Sequence, residues 1–174
     1  MTAPDLTDPA SNVRWGGGSP DDYVGWTLIQ ASHAFGRHVE TLLGTVGLTP
    51  MQFGVLVQLS LRPNLGSAEL ARQVLVTPQS MGELLQSLER MGLVERDRSV
   101  GPGRRITARV TDAGRAALGR ATPIVKALNV PESLGLTAGE RKQLNELLHK
   151  MRATVSSPSY RDEVAARIVA DDRS

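Results

Sequence analysis

The chain has 174 residues, 40% of them apolar but only 3% aromatic, with no cysteine and a formal net charge of +2. Its length allows one domain with an appended helical layer, and a core restricted to Leu, Val, Ala and Ile favours helix-on-helix packing over a β-sandwich. The lack of cysteine excludes disulfides, zinc thiolates and thiol redox chemistry, and no apolar run matches a membrane span or a secretory signal, so a soluble cytoplasmic protein is expected.

In chain order, residues 1–18 are rich in Pro, Asp and Gly and read as a disordered N-terminal arm, with Trp15 as a single anchor. Ser19-Pro20-Asp21-Asp22 has the form of a helix start: an N-cap, a proline at the first helical position and a carboxylate at the capping-box position. From there Val24, Leu28, Ala31, Phe35, Val39, Leu42, Leu43 and Val46 keep a helical period, and Gly47 closes the first helix. Thr49-Pro50-Met51-Gln52 launches a second helix through Leu61, stopped at Pro63. Ser67 is expected to cap a short third helix to Val74. Thr77-Pro78 starts a fourth, which Gly92 ends after about Met91.

Two short strands follow, Val94 to Arg98 and Arg104 to Val110, joined by the turn-forming segment Ser99-Val100-Gly101-Pro102-Gly103. Thr111 caps a fifth helix to about Leu128, which Pro123 should kink or split. Thr137-Ala138-Gly139-Glu140 opens a sixth helix through about Thr154, with Leu144, Leu147, Leu148 and Met151 on one face. Ser156-Ser157-Pro158 breaks it, and Tyr160 to Ala170 has the composition for a short further helix.

The chemistry concentrates on the fourth helix and the ribbon after it. At 100° per residue, Met81, Leu84, Leu85 and Leu88 share one face, while Gln79, Gly82, Glu83, Gln86 and Arg90 share the opposite one. Gln pairs bidentately with adenine and Glu accepts from cytosine N4. Gly82 lets the helix approach a groove wall, and Thr77, Ser80 and the helix N-terminal amides suit phosphate oxygens, with Pro78 between them counted among the DNA-facing residues. On a lone helix such a face is equally well read as merely solvated. The ribbon supplies the second observation: residues 96 to 109 hold Arg96, Arg98, Arg104, Arg105 and Arg109 against one acid, Asp97, a formal +4. An arginine-tipped hairpin can enter a minor groove and neutralise phosphates. Arg109 has two readings, DNA contact or an ion pair with Glu95 across the ribbon. Two crossed helices followed by a basic β-ribbon have the layout of a winged helix-turn-helix. The fold class expected is therefore mainly α, with a two-stranded β wing and a helical dimerisation layer.

At these residues the chain resembles the multiple-antibiotic-resistance regulator (MarR) family over roughly Asp21 to Arg152. The resemblance rests on Gly47-Leu48-Thr49-Pro50-Met51-Gln52-Phe53, Glu69-Leu70-Ala71, Leu88-Glu89-Arg90-Met91-Gly92-Leu93-Val94-Glu95-Arg96 and Val110-Thr111-Asp112-Ala113-Gly114, in that order. It implies a homodimer that binds pseudo-palindromic double-stranded DNA, usually as a repressor, and releases it when a small phenolic or anionic effector binds. It also implies a MarR-like domain over residues 19–155. Within it the winged helix-turn-helix spans about 49–110, with dimerisation helices at about 20–46 and 112–154 and a C-terminal tail at 156–174. Gln79, Ser80, Glu83 and Gln86 would lie in the major groove and Arg104 in the wing. One departure stands out: where the family usually has an Asp two residues before that arginine, this chain has Pro102, and Arg105 offers a second charge beside it.

An effector pocket is expected where the first helix faces the second and the reading head, with Trp26, His33, Arg37, Met51, Phe53 and Met81 as candidate liners. Trp26, Met51 and Phe53 also read as ordinary core or dimer residues. His33 and His38 fall about 140° apart on a helix, which does not make a metal pair, and no cofactor is expected. Signatures for a nucleophile elbow, a Walker loop or a zinc protease do not occur, so no enzymatic activity is expected. The competing expectation is a winged-helix interaction module whose basic ribbon binds an acidic protein. An architectural protein without sequence preference is a third, disfavoured because the fourth helix lacks dense positive charge.

Overall fold

A run of side-chain caps sets where the helices begin. The computed structural model describes residues 18–63, 65–97 and 107–171. Ser19 and Asp22 form a reciprocal capping box, yet it closes only a 3-10 turn, Pro20–Asp22. Tyr23 takes an extended backbone (φ −97°, ψ 109°), so α1 spans Val24–Gly44 and starts later than the cap signal suggested. Gly47, at φ +76°, turns the chain after it. Thr49 and Gln52 then make a second capping box for α2, Pro50–Leu61.

The wing is a three-stranded sheet instead of a two-stranded ribbon. Strand β1 (Leu65–Gly66) pairs with β3 (Thr107–Val110), which pairs on its other edge with β2 (Val94–Asp97), all antiparallel. The register sets Val94 opposite Val110, Glu95 opposite Arg109 and Leu65 opposite Ala108. Two residues cannot show a strand period, so only the pairing reveals β1. Because Gly66 is held opposite Thr107, it occupies the cap position of α3 (Ser67–Val74), and Ser67 is the first helical residue, not its cap. Leu75 follows α3 in the left-handed region (φ 58°, ψ 44°) and makes the turn into α4, Pro78–Arg90, capped by Thr77.

Helix α5 (Asp112–Leu128) runs unbroken through Pro123. The carbonyl this proline cannot satisfy belongs to Gly119, four residues back, and both residues are exposed, so the unmade bond is not sealed in the core. A short α6 (Pro131–Leu134), ended by Gly135 at φ +65°, precedes α7 (Ala138–Val155), and the C-terminal segment forms α8 (Tyr160–Asp171). None of these helices is long and apolar enough to cross a membrane.

Helices α2 to α5 and the sheet enclose one core. Leu43, Val55, Leu56, Leu59, Leu70, Met81, Leu85, Leu88 and Val94 are its largest sealed side chains. Each such burial stabilises the fold by about 1.5–3 kcal/mol. Helix α1 buries only Leu43, and α7 buries nothing. Their apolar residues stand exposed instead, including Trp26, Ile29 and Phe35 on α1 and Leu144, Leu147 and Leu148 on α7.

Candidate nucleic-acid interface

The two faces of α4 divide as the sequence period requires. Met81, Leu85 and Leu88 are buried, whereas Gln79, Glu83, Gln86 and Arg90 are exposed. Gly82 sits in that outer stripe, and a Cβ built on it meets nothing within 4 Å. At the helix start Thr77 Oγ1 accepts the Ser80 amide hydrogen at 3.1 Å, and the two hydroxyls lie 2.9 Å apart. That end therefore presents Thr77, Pro78 and Ser80 at the positive end of the helix dipole. The outer stripe offers both donors and acceptors, as base-edge reading demands.

The ribbon's cations divide differently. Arg109 donates Nε to Glu95 Oε2 at 2.9 Å and holds it also through Nη2 at 2.8 Å, so of its two readings the cross-strand ion pair is present. Both side chains are well exposed, where such a pair is worth about 0–1 kcal/mol and is readily broken. Arg96, expected to face DNA, turns inward: its side chain is 15% exposed and lies 3.7 Å from Glu89 at the end of α4. Its charge is committed to fastening the wing to the helix. Arg98, Arg104 and Arg105, with the turn around Pro102, lie outside the described residues, as do residues 1–17 with Trp15.

The wing root is fixed by Thr111 and Gly114. Thr111 accepts the Gly114 amide at 3.1 Å while donating its hydroxyl to Gly92 O at 2.7 Å, so one residue caps α5 and ties it to the turn after α4. Gly114 is buried against Leu93 O and Val110, where no side chain fits. Glu89 and Gln52 are the positions that reading the sequence did not single out as serving the interface. Gln52, read only as a cap, is buried and reaches across to α4. α2 carries two amides, Gln52 and Gln58, and nothing in the sequence separates the buried one from the other.

The expected effector liners do not share one exposed surface. Trp26, His33 and Arg37 stand exposed on α1, Met51 and Phe53 are half-buried on α2, and Met81 is sealed in the core beneath α4.

Helix-turn-helix, recognition-type face and flanking wing together define a winged helix-turn-helix protein. Comparison with known proteins gives the family. The MarR family profile matches residues 46–105. The HTH-type transcriptional repressor Rv2887 of Mycobacterium tuberculosis is 37% identical over 131 residues, 75% of this chain and 94% of that protein. The crystal structure of this M. tuberculosis MarR family protein with salicylic acid aligns with TM-score 0.59 and 37% identity over 74% of this chain and 96% of that one. Its complex with DNA aligns with TM-score 0.60 and 34% identity, covering 74% and 97%. The chain belongs to the MarR family.

Proposed function

We propose that the protein is a ligand-responsive transcriptional repressor that binds a pseudo-palindromic operator as a homodimer. The observation that carries this is the exposed Gln79–Glu83–Gln86–Arg90 stripe on a capped helix flanked by a wing. A relative of matching architecture, crystallised with DNA, supports it. In this reading Gln79, Ser80, Glu83 and Gln86 meet base edges or their phosphates, with Gly82 allowing close approach. Thr77, Pro78 and Arg90 flank the phosphate backbone, and Arg98, Arg104 and Arg105 serve the minor groove. The exposed apolar faces of α1 and α7 would be covered by the second copy, since patches of that kind are uncommon on a monomer. A DNA target also supports a cytoplasmic location.

Two heads must sit about 34–36 Å apart to fill successive major grooves. A small phenolic or anionic effector that favours another spacing would lower operator affinity by about 5–150-fold, the usual range of such coupling. The M. tuberculosis relative bound to salicylic acid supports an effector of this class. The alternative, an interaction module for an acidic protein, gains nothing from the relatives, whose descriptions are of transcriptional repressors and regulators. Anisotropy titration of labelled duplex across a salt series tests the proposal. Binding that weakens linearly on a log–log plot is expected; a protein that stays monomeric and ignores duplex at low salt refutes it.

A further inference from the structure

Gln52 is the buried polar side chain among the described residues, only 8% exposed. Its Oε1 accepts the Thr49 amide hydrogen at 2.9 Å, which closes the α2 capping box and fixes the plane of the side-chain amide. That leaves Nε2 aimed at α4, donating to Ser87 Oγ at 3.2 Å and lying 3.6 Å from Met91 Sδ. Ser87 and Met91 are one helical turn apart on α4. Capping uses the oxygen end of Gln52 alone, so the nitrogen end is a separate device.

The side chains of α4 that are buried in the core shared with α2, Met81, Leu85 and Leu88, are all apolar. Apolar burial is non-directional and tolerates small rotations, whereas hydrogen bonds weaken as their angles open. Rotating α4 by about 10° moves a side-chain tip at the helix surface by about 1 Å, enough to spoil a bidentate base contact. Resting on the DNA-reading function proposed above, we infer that Gln52 is a positioning residue that fixes the rotation of α4, through Ser87 and Met91, and thereby governs sequence discrimination. It also joins α4 to Thr49, beside the junction where α1 passes into α2.

The test compares wild type, Ser87→Ala, Gln52→Leu and the double variant. Each is titrated against the duplex that the wild-type protein selects from a randomised pool, and against the unselected pool. Ser87→Ala removes the acceptor and leaves the Thr49–Gln52 cap intact, so it separates positioning from capping and survives if Gln52→Leu fails to fold. The ratio of selected to unselected affinity should fall by about 5–150-fold in Gln52→Leu, the range of one lost base contact. Ser87→Ala should show a smaller fall in the same ratio. The double variant should do no worse than Gln52→Leu, with affinity for the unselected pool unchanged throughout. A wild-type ratio in Ser87→Ala, or equal losses on both duplexes, overturns the positioning role while leaving the DNA-reading function standing. A wild-type protein that selects no duplex removes that function, and the positioning role with it.

Discussion

Gly114 offers the sharpest stability test, because one methyl group there must displace backbone. A Cβ at this position would lie 2.7 Å from Val110 Cγ1 and deep inside contact distance of Leu93 O. The carbonyl cannot swing aside freely, since it accepts the Thr111 amide hydrogen at 3.1 Å. Overpacking of this kind costs about 1–3 kcal/mol, and a clash with backbone belongs at the upper end. Weakening the Thr111 bond adds about 1 kcal/mol, while replacing a helical glycine by alanine returns about 1 kcal/mol. Gly114→Ala should therefore lose about 2–3 kcal/mol net, lowering Tm by about 4–12 °C for a chain of this size. Gly119→Ala is the control: it lies in the same helix with nothing within 4 Å of its Cβ, and should be neutral or stabilising by up to about 1 kcal/mol. Thermal unfolding followed by circular dichroism, at one protomer concentration, reads both. If Gly114→Ala melts at or above wild type, the packing of α5 onto the wing root is wrong.

Other outcomes follow from the interface. Gln79→Ala should relax base preference by about 1–3 kcal/mol at one position per half-site, whereas Arg104→Ala should weaken all duplexes alike and flatten the salt slope; identical effects on selected and random duplexes would refute that division. Gly82→Ala should fold with equal or greater stability, since its Cβ meets open space, yet weaken duplex binding by crowding the groove; unchanged affinity would remove the close approach. The Thr137 backbone amide first, and its hydroxyl second, hold the Glu140 carboxyl below its ordinary value. The sign follows: this cap is complete above the ordinary carboxylate range and is lost as pH falls through the lowered value. An NMR titration of Glu140 should show the depression, and Thr137→Ala, which removes the hydroxyl but keeps the backbone amide, should reduce it without abolishing it; an undepressed wild-type value would contradict the cap.

Much of the architecture was legible because its causes are local. Thr49, Thr77, Thr111 and Thr137 each cap the helix that follows, as their spacing to the first free amides requires. The inner and outer faces of α4 follow from 100° per residue, and the cross-strand option for Arg109 and Glu95 follows from ribbon register. Failures occurred where a distant segment decided. Ser67 lost its cap position because Gly66 pairs with Thr107, far along the chain, and the same pairing adds β1 to the wing. Arg96 turns toward Glu89 on α4, a contact that the ribbon's own pattern does not carry.

The sequence by itself determined the helix starts, the amide-bearing face of α4 and the concentration of arginine in the ribbon, since each depends on residues within a turn or two of one another. Only the tertiary structure decided which charges are spent holding the wing in place, which glycine has no room for a side chain, and that the amide of Gln52 spans from one helix to the next. Those are matters of distance between segments far apart along the chain, and a one-dimensional pattern carries no distances.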